Sequence, residues 1–248
     1  MADRRASTAP PVAIVVGAAR GIGAAVARAL RDDGASVVVV DRDGEVLHLA
    51  DALGDAVAVH GEATEESTLE EAFAATARLP GALRSLVYLA TLQQSEPVLD
   101  LSPQTWDRTM DVTVTGAWRW AQCFGTRTSV GGSIVFVSSV HAVRHSADLV
   151  AYGTAKAALA GLAECLAVAL GPRGVRANAV LPGFIAVERN RWRWGDPEQA
   201  AALAATNPLG RLGRPEDVAS VVAFLSSDRA GFVSGTCIPV DGASLVSF

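Results

Sequence analysis

Tyr152 and Lys156 stand four residues apart in AYGTAKAAL (151–159); they are one of 2 tyrosines and the sole lysine in a 248-residue chain with 21 lysines plus arginines. At that spacing on a helix the two side chains share a face. A phenol titrates near ~10, and a neighbouring ammonium stabilises phenolate and draws that value toward a working pH. The pair therefore predicts a general acid or base at Tyr152, with Lys156 as its electrostatic partner. An alanine- and arginine-rich composition accounts for the scarcity of lysine, but not for the place of the one that is kept.

Gly17, Gly21 and Gly23 fall in VGAARGIGAAV, between an apolar run and a helical pattern. Glycines at a strand-to-helix turn let backbone N–H groups and the positive helix end approach a pyrophosphate with no Cβ in the way. Asp41 closes the second apolar run, in VVVVDRD. A carboxylate there accepts both hydroxyls of an adenosine ribose and repels a 2′-phosphate, which favours NAD(H). The adjoining Arg42 leaves NADP(H) open, since a guanidinium can serve that phosphate. Ser138 and Ser139 end a further run, SIVFVS. Successive strand residues face opposite sides, so at most one of these hydroxyls meets the substrate.

Strands must deliver these groups to one edge. Nearly continuous apolar runs occur at 12–16, 36–40, 56–60, 85–90, 133–138, 175–181 and 236–240, the pattern of strands buried on both faces of a parallel sheet. Helical spacing recurs between them, in Ile22, Val26, Ala29 and Leu30, then in Trp106, Met110, Val114, Ala117 and Ala121. Leu159, Leu162, Ala163, Leu166 and Leu170 form a third stripe, and Val218, Val221, Val222 and Leu225 a fourth. Ser102-Pro103, and Pro215 followed by Glu216 and Asp217, mark helix starts; Gly34 marks a helix end. The alternation predicts an α/β fold, a single-domain Rossmann-like doubly wound parallel sheet of about seven strands with helices on both faces. That domain is expected over 11–248, after a loose tail at 1–10.

In order and spacing, VGAARGIG, SSV, YGTAK and LPGFI resemble the motifs of the short-chain dehydrogenase/reductase family over nearly the whole chain. The ending RLGRPEDVASVVAFLSSDRAGFVSGTCIPVDGAS is similar to that family's C-terminal segment. The resemblance implies an oxidoreductase that interconverts a secondary alcohol and a ketone, Tyr152 exchanging a proton with the oxygen while hydride passes between substrate and nicotinamide. It selects Ser139 to hold the substrate oxygen, leaving Ser138 a packing or backbone-bonding role. It also gives Lys156 a second task at the nicotinamide ribose, and it sets Gly17, Arg20, Gly21, Ile22, Gly23, Asp41, Arg42, Glu62, Ala63, Ala90, Tyr152, Lys156, Pro182, Gly183 and Ile185 along the cofactor.

The sequence departs from the family's pattern around that site. Tyr88-Leu89-Ala90-Thr91 stands where Asn-Asn-Ala-Gly is usual, Val16 and Val187 stand where threonines are usual, and the acidic residue after the third strand is shifted to Glu62. Thr113 occupies the place of an asparagine that serves a proton relay, and it can still donate and accept through its hydroxyl. It is therefore counted as catalytic with Ser139, Tyr152 and Lys156. Two other uses of the same site stay open: an NAD-binding protein with little redox turnover, and a non-redox isomerase or eliminase built on Tyr152.

The segment 184–207, starting at Phe184, reads as a lid over the substrate. Its Trp192 and Trp194, interleaved with Arg189, Arg191 and Arg193, suit a small substrate of aromatic or anionic character, or else surface or subunit packing. The resemblance implies that the connection from Ser139 to Tyr152, with His141 and His145, borders the substrate. Trp106, Trp118 and Trp120 belong to the helix before the fifth strand, where Trp106 and Trp118 are expected on its apolar stripe or in an oligomer contact. A net charge of −5 argues against a nucleic-acid partner or an anionic membrane surface. The apolar run after the N-terminal tail is too short for a membrane span. Cys123, Cys165 and Cys237 lack the spacing of a disulfide framework or a metal site, which points to the cytoplasm and to no metal. A homotetramer or homodimer is implied by resemblance.

Overall fold

The computed structural model describes residues 10–129 and 131–247. Seven strands, β1 Val12–Val16, β2 Ser36–Asp41, β3 Ala56–His60, β4 Leu83–Tyr88, β5 Gly132–Val137, β6 Val175–Pro182 and β7 Cys237–Val240, form one sheet ordered β3-β2-β1-β4-β5-β6-β7. Every adjacent pair is parallel. The apolar runs have this outcome because each strand feeds two cores. In β1, Ala13 and Val15 join one cluster and Ile14 and Val16 the other, all of them buried. Full burial of each such valine or isoleucine contributes about 1.5–3 kcal/mol.

Helices α1 Gly21–Asp32, α2 Glu45–Leu53 and α8 Pro215–Ser226 cover the first face. Helices α3 Glu66–Ala75, α5 Gly116–Arg127 and α6 Val150–Leu170 cover the second. Helix α4, Pro103–Met110, starts on Ser102, whose Oγ accepts from Thr105 N at 3.0 Å, with proline in the first turn as expected. The short α7, Pro197–Ala204, lies in the segment expected to be a lid. Strand boundaries read from the sequence agree with the observed ones to within two residues. All of the expected tail except Pro10 lies outside the described residues.

One helix differs from expectation. Residues Asp111–Thr115 form a π-helical turn between α4 and α5. One residue inserted into a helix rotates everything after it by about 100°. From residue 109 to 124 the buried residues are Thr109, Val112, Thr113, Gly116, Ala117, Trp120, Ala121 and Phe124, which leaves Trp106, Met110 and Val114 of the expected stripe only half-buried. Trp120 is fully buried, Trp106 half-buried, and Trp118 46% exposed, so Trp118 is off the buried stripe, which leaves an oligomer contact as the other expected place for it.

Strand order reverses between β1 and β4, which run outward to opposite edges of the sheet. In an open α/β sheet, the crevice beyond the carboxyl ends of such a strand pair is where a ligand fits.

Candidate active site

The floor of that crevice is backbone. Gly17 follows β1 with φ +86°, and a Cβ there would lie 2.9 Å from the backbone nitrogen of Ala90, just beyond β4. A Cβ on Gly23 would run into the Gly17 carbonyl oxygen. No other residue type fits either place, so the turn keeps the bare N–H surface that a pyrophosphate needs. Ile22 packs its half-buried side chain into the core beneath. Gly21 (φ +55°) faces Val187, whose Cγ1 lies 3.1 Å from where a Cβ would be, so the segment after β6 rests on this turn.

Asp41, at the end of β2, holds the turn from below. Its Oδ2 accepts from Ala19 N at 2.9 Å and its Oδ1 from Asp43 N at 3.0 Å. The two nearby guanidiniums are each committed to a carboxylate. Arg20 Nε donates to Asp43 Oδ2 at 2.8 Å, which raises the arginine's pKa and lowers that of Asp43. Arg42 Nη1 donates to Glu62 Oε1 at 3.4 Å, while Arg108 Nη2 donates to the other oxygen of Glu62, also at 3.4 Å. Ala63, next in line, gives its carbonyl to the indole N–H of Trp120 at 2.8 Å. Asp43 and Trp120 thus shape this end of the crevice unforeseen. Asp43 had a local signal in the acid-base-acid order of Asp41, Arg42 and Asp43; Trp120 had none, because its burial follows from the π-turn.

The reactive groups gather at the end of β5. Ser138 donates its hydroxyl to the Lys156 carbonyl at 2.7 Å, the backbone role expected of it. Ser139 faces the other way and caps the 3₁₀ turn Val140–Ala142, its Oγ accepting from His141 N at 3.1 Å. Helix α6 begins at Val150 and turns Tyr152 and Lys156 inward; they are 7% and 2% exposed. Lys156 Nζ donates to the Val137 carbonyl at 2.9 Å and lies 5.5 Å from the centre of the Tyr152 ring. Three of the four expected catalytic groups therefore share one pocket.

Their electrostatics correct one expectation. Burial pushes the Lys156 amine down to about 7. Burial also raises the Tyr152 phenol, and the influences that draw it back are the neighbouring Ser139 hydroxyl and the charge of Arg189. Lys156 is not among them. Its ammonium is tied to the Val137 carbonyl and sits over the ring, away from a direct bond to the phenol oxygen. His141 meets the Tyr152 ring edge-on with centroids 6.0 Å apart, and burial lowers its pKa, so it is a neutral imidazole at pH 7. His145 is exposed near Gly153, its Nδ1 3.7 Å from where a Cβ on that glycine would lie.

Thr113 is fully buried in the π-turn, and its hydroxyl pairs with that of Thr91 at 3.0 Å. Tyr88, at the end of β4, donates its phenol to the Val112 carbonyl in the same turn at 2.6 Å. Two of the residues that break the family's pattern, Thr91 and Thr113, are thus bonded to each other, and a third, Tyr88, is bonded to the same turn.

Pro182 ends β6, and Gly183 N continues toward β7 by donating to the Val240 carbonyl at 3.0 Å. Ile185 is buried and bridges to Gly213. Beyond it, 188–193 forms a 3₁₀ helix that leads to α7. Trp194 spends its indole N–H on this segment, donating to Asn190 Oδ1 at 2.7 Å and to the Val187 carbonyl at 3.1 Å. Trp192 is 78% exposed, and the Arg193 guanidinium lies between it and Phe184, at 5.9 and 4.9 Å from the ring centres. Arg189 crosses the mouth to donate to Gln93 Oε1 at 3.1 Å.

A backbone-floored crevice at the reversal of a parallel sheet, beside a buried serine, tyrosine and lysine, defines a nucleotide-binding α/β protein with proton-transfer groups. The chain belongs to the short-chain dehydrogenase/reductase family of oxidoreductases, whose members act on small molecules with a nicotinamide cofactor. A family model described as enoyl-(acyl carrier protein) reductase matches residues 17–243. An L-rhamnose 1-dehydrogenase (NAD(P)(+)) of Azotobacter vinelandii is 36% identical over 246 residues, covering 94% of this chain and 96% of that protein. A cis-4-hydroxycyclohexanecarboxylate dehydrogenase of Sinomonas cyclohexanicum is 37% identical over 238 residues, covering 93% and 95%. The crystal structure of gox2181 superposes with a TM-score of 0.88 at 31% identity and covers 96% of each chain.

Proposed function

We propose that the protein interconverts a secondary alcohol and a ketone with NAD(H), using Tyr152 as general acid and base. The observation that carries this reading is the burial of Ser139, Tyr152 and Lys156 together at the end of β5, beside the glycine turn. The turn fits a dinucleotide because the positions that would block it, Gly17 and Gly23, have no Cβ and no room for one. Residues Gly17 to Gly23 and Asp41 would hold the pyrophosphate and the adenosine ribose. Ala63 and Ala90 would line its sides, and Pro182 to Ile185 its far end.

When bound, the nicotinamide supplies a hydride acceptor or donor. In the oxidising direction the carbinol proton moves to the Tyr152 phenolate oxygen as the carbinol hydrogen leaves with its electron pair; reduction reverses both transfers. Ser139 Oγ holds the substrate oxygen and stabilises the charge that develops on it. Lys156, even as a neutral amine, keeps an N–H beyond the one given to Val137, which could hold the nicotinamide ribose. Raised by burial, the Tyr152 phenol favours the protonated form, which is the form needed to reduce a ketone.

Preference for NAD(H) rests on charge. Asp41 stands where a 2′-phosphate would lie, and the two arginines able to receive that phosphate, Arg20 and Arg42, are paired with Asp43 and Glu62. A 2′-phosphate would have to break those pairs and approach a carboxylate. The test is cofactor titration with a panel of secondary alcohols and ketones. NAD(H) should bind at least tenfold more tightly than NADP(H), about 1.4 kcal/mol. Tyr152→Phe should lower kcat by about 10²–10⁴-fold while leaving NAD(H) affinity within a factor of roughly three. Tighter NADP(H) binding would end the cofactor assignment. Cofactor binding with no turnover of any compound would favour a redox-silent role.

A further inference from the structure

The mouth of the site has an unusual balance of charge. Along the 3₁₀ helix 188–193, the central arginine is neutralised: Arg191 pairs with Glu188 at 3.4 Å and lies 5.9 Å from the Trp194 ring centre. The arginines on either side of it are not. Among the described residues, neither Arg189 nor Arg193 has a carboxylate within ion-pair distance; Arg189 reaches only the neutral Gln93 amide, and Arg193 packs between Phe184 and Trp192. Among the described residues ten other arginines do have such a partner, and Arg28, Arg78, Arg144, Arg173, Arg176 and Arg214 do not.

Nearby carboxylates are occupied by their own loops. Asp241 accepts from Ala243 N at 3.0 Å, Leu245 N at 2.8 Å and Ser244 Oγ at 3.0 Å. Asp148 accepts from the hydroxyls of Ser95 and Ser146. Glu96 accepts from Thr105 Oγ1 at 2.9 Å and Ser102 N at 3.3 Å. The histidine that faces the phenol, His141, is neutral at pH 7. Asp241, Asp148 and Glu96 keep their charge but are held by their own loops, so Arg189 and Arg193 are left with no ion-pair partner among the described residues.

Both guanidiniums are built into the site. Asn190 Nδ2 donates to the Ile185 carbonyl at 2.8 Å while its Oδ1 accepts from Val187 N at 3.0 Å, so the 3₁₀ helix is tied to the strand exit that borders the cofactor crevice. Arg189 is close enough to draw down both Tyr152 and Lys156. Arg193 lies near the Phe184 and Trp192 rings with its guanidinium bound to no carboxylate, and a guanidinium can take a carboxylate bidentately.

We propose that Arg189 and Arg193 receive a carboxylate carried by the substrate, so that the alcohol or ketone turned over is that of a hydroxy or keto acid, with Arg189 determining specificity. This rests on the oxidoreductase reading for the reaction, but not for the binding.

Matched pairs test it: cyclic and aromatic hydroxy acids and keto acids against their methyl esters, each with NAD or NADH. Wild type should prefer the acid in kcat/KM by roughly tenfold or more, the size of a charge-assisted hydrogen bond. Arg189→Gln, which keeps a polar side chain, should collapse that ratio mainly through KM, whereas Arg191→Gln should preserve it. A wild-type ratio at or below one, or a ratio unmoved in Arg189→Gln, overturns the proposal. A second arm uses cyclohexanecarboxylate and its carboxamide as unreactive ligands, read by tryptophan fluorescence with NAD present. Carboxylate-selective binding that Arg189→Gln abolishes, in a protein that turns over nothing, would sink the oxidoreductase reading and keep the carboxylate site. Turnover of neutral ketones with no carboxylate selectivity in either arm would do the reverse.

Discussion

At the scale of single residues, Lys156 has its charge set by its burial and by its bond to the Val137 carbonyl. Its pairing with Tyr152 was legible because residue type and i, i+4 spacing suffice to place both on one helix face. Its electrostatic state was not, because burial and the bond to the Val137 carbonyl belong to another element. The consequence is measurable as a pH dependence of stability. An amine at about 7 in the fold, against an ordinary value near 10.5, has shed a proton that the unfolded chain still holds at pH 7–9. Stability therefore rises with pH across that window, and is lost as pH falls through it. His141, lowered from 6.5, and the raised Tyr152 phenol lie outside this window. Cys123 and Cys237, raised from 9.0 by burial, oppose the rise toward pH 9 in wild type and Lys156→Met alike, so the difference between the two proteins isolates the amine. Urea midpoints at pH 7, 8 and 9 should rise in wild type and flatten in Lys156→Met. Equal slopes in the two proteins would show that the amine keeps its ordinary affinity for protons. The same limit of vision applies at the cofactor end, where Asp41 and Arg42 were readable in VVVVDRD but the neutralisation of Arg42 by Glu62, brought from β3, was not.

Among the elements, strands and most helices were legible because apolar period 2 and 3.6 patterns report burial directly. The π-turn was not, since a stripe counted at 3.6 residues per turn assumes the regular helix that Asp111–Thr115 interrupts. What sustains the turn is local. Tyr88 gives its phenol proton to the Val112 carbonyl, and burial keeps that phenol protonated. Gly116, one turn on, makes room: a Cβ there would collide with the Tyr88 hydroxyl. Tyr88→Phe should destabilise the protein by about 1–3 kcal/mol, because the buried Val112 carbonyl loses its donor. Gly116→Ala should also destabilise it. The double substitution should cost less than the two single costs added together, since phenylalanine removes the oxygen that the new methyl would strike. Urea denaturation of the four proteins measures the coupling. Costs that add to within about 0.5 kcal/mol would mean that Tyr88 and Gly116 are independent and that the turn has another cause. Thr113 stands in this turn with its hydroxyl on Thr91, so loss of the turn should also be felt at the active site.

For the whole molecule, one surface is out of keeping with the rest. Helix α6 is long and apolar enough, by length and composition, to cross a membrane, with a mean hydropathy of 1.4 in its most apolar window and 28% of that window buried. Its inner face carries Tyr152 and Lys156 against the sheet, which makes it a core helix of this fold. Its outer face carries the small or apolar residues Thr154, Ala158, Gly161, Cys165 and Val168 with one charge, Glu164; Val168 is 81% exposed and no heavy atom lies within 4 Å of a Cβ built on Gly161. Periodicity could not separate these two faces, because a helix apolar on all sides has no polar stripe to orient it. Small side chains allow a second helix to approach closely, and burying an exposed valine is worth about 1.5–3 kcal/mol on each copy. We therefore expect a homo-oligomer that pairs α6 with its copy, fixing the catalytic helix from outside. Light scattering on the purified protein should give a dimeric or tetrameric mass, and Val168→Asp should lower it by placing like charges in the contact. A monomeric wild type would overturn the pairing, and so would a Val168→Asp variant with the wild-type mass. Because α6 also bears Tyr152, the dissociated variant should lose turnover along with mass, and activity that rises with protein concentration would tie catalysis to assembly.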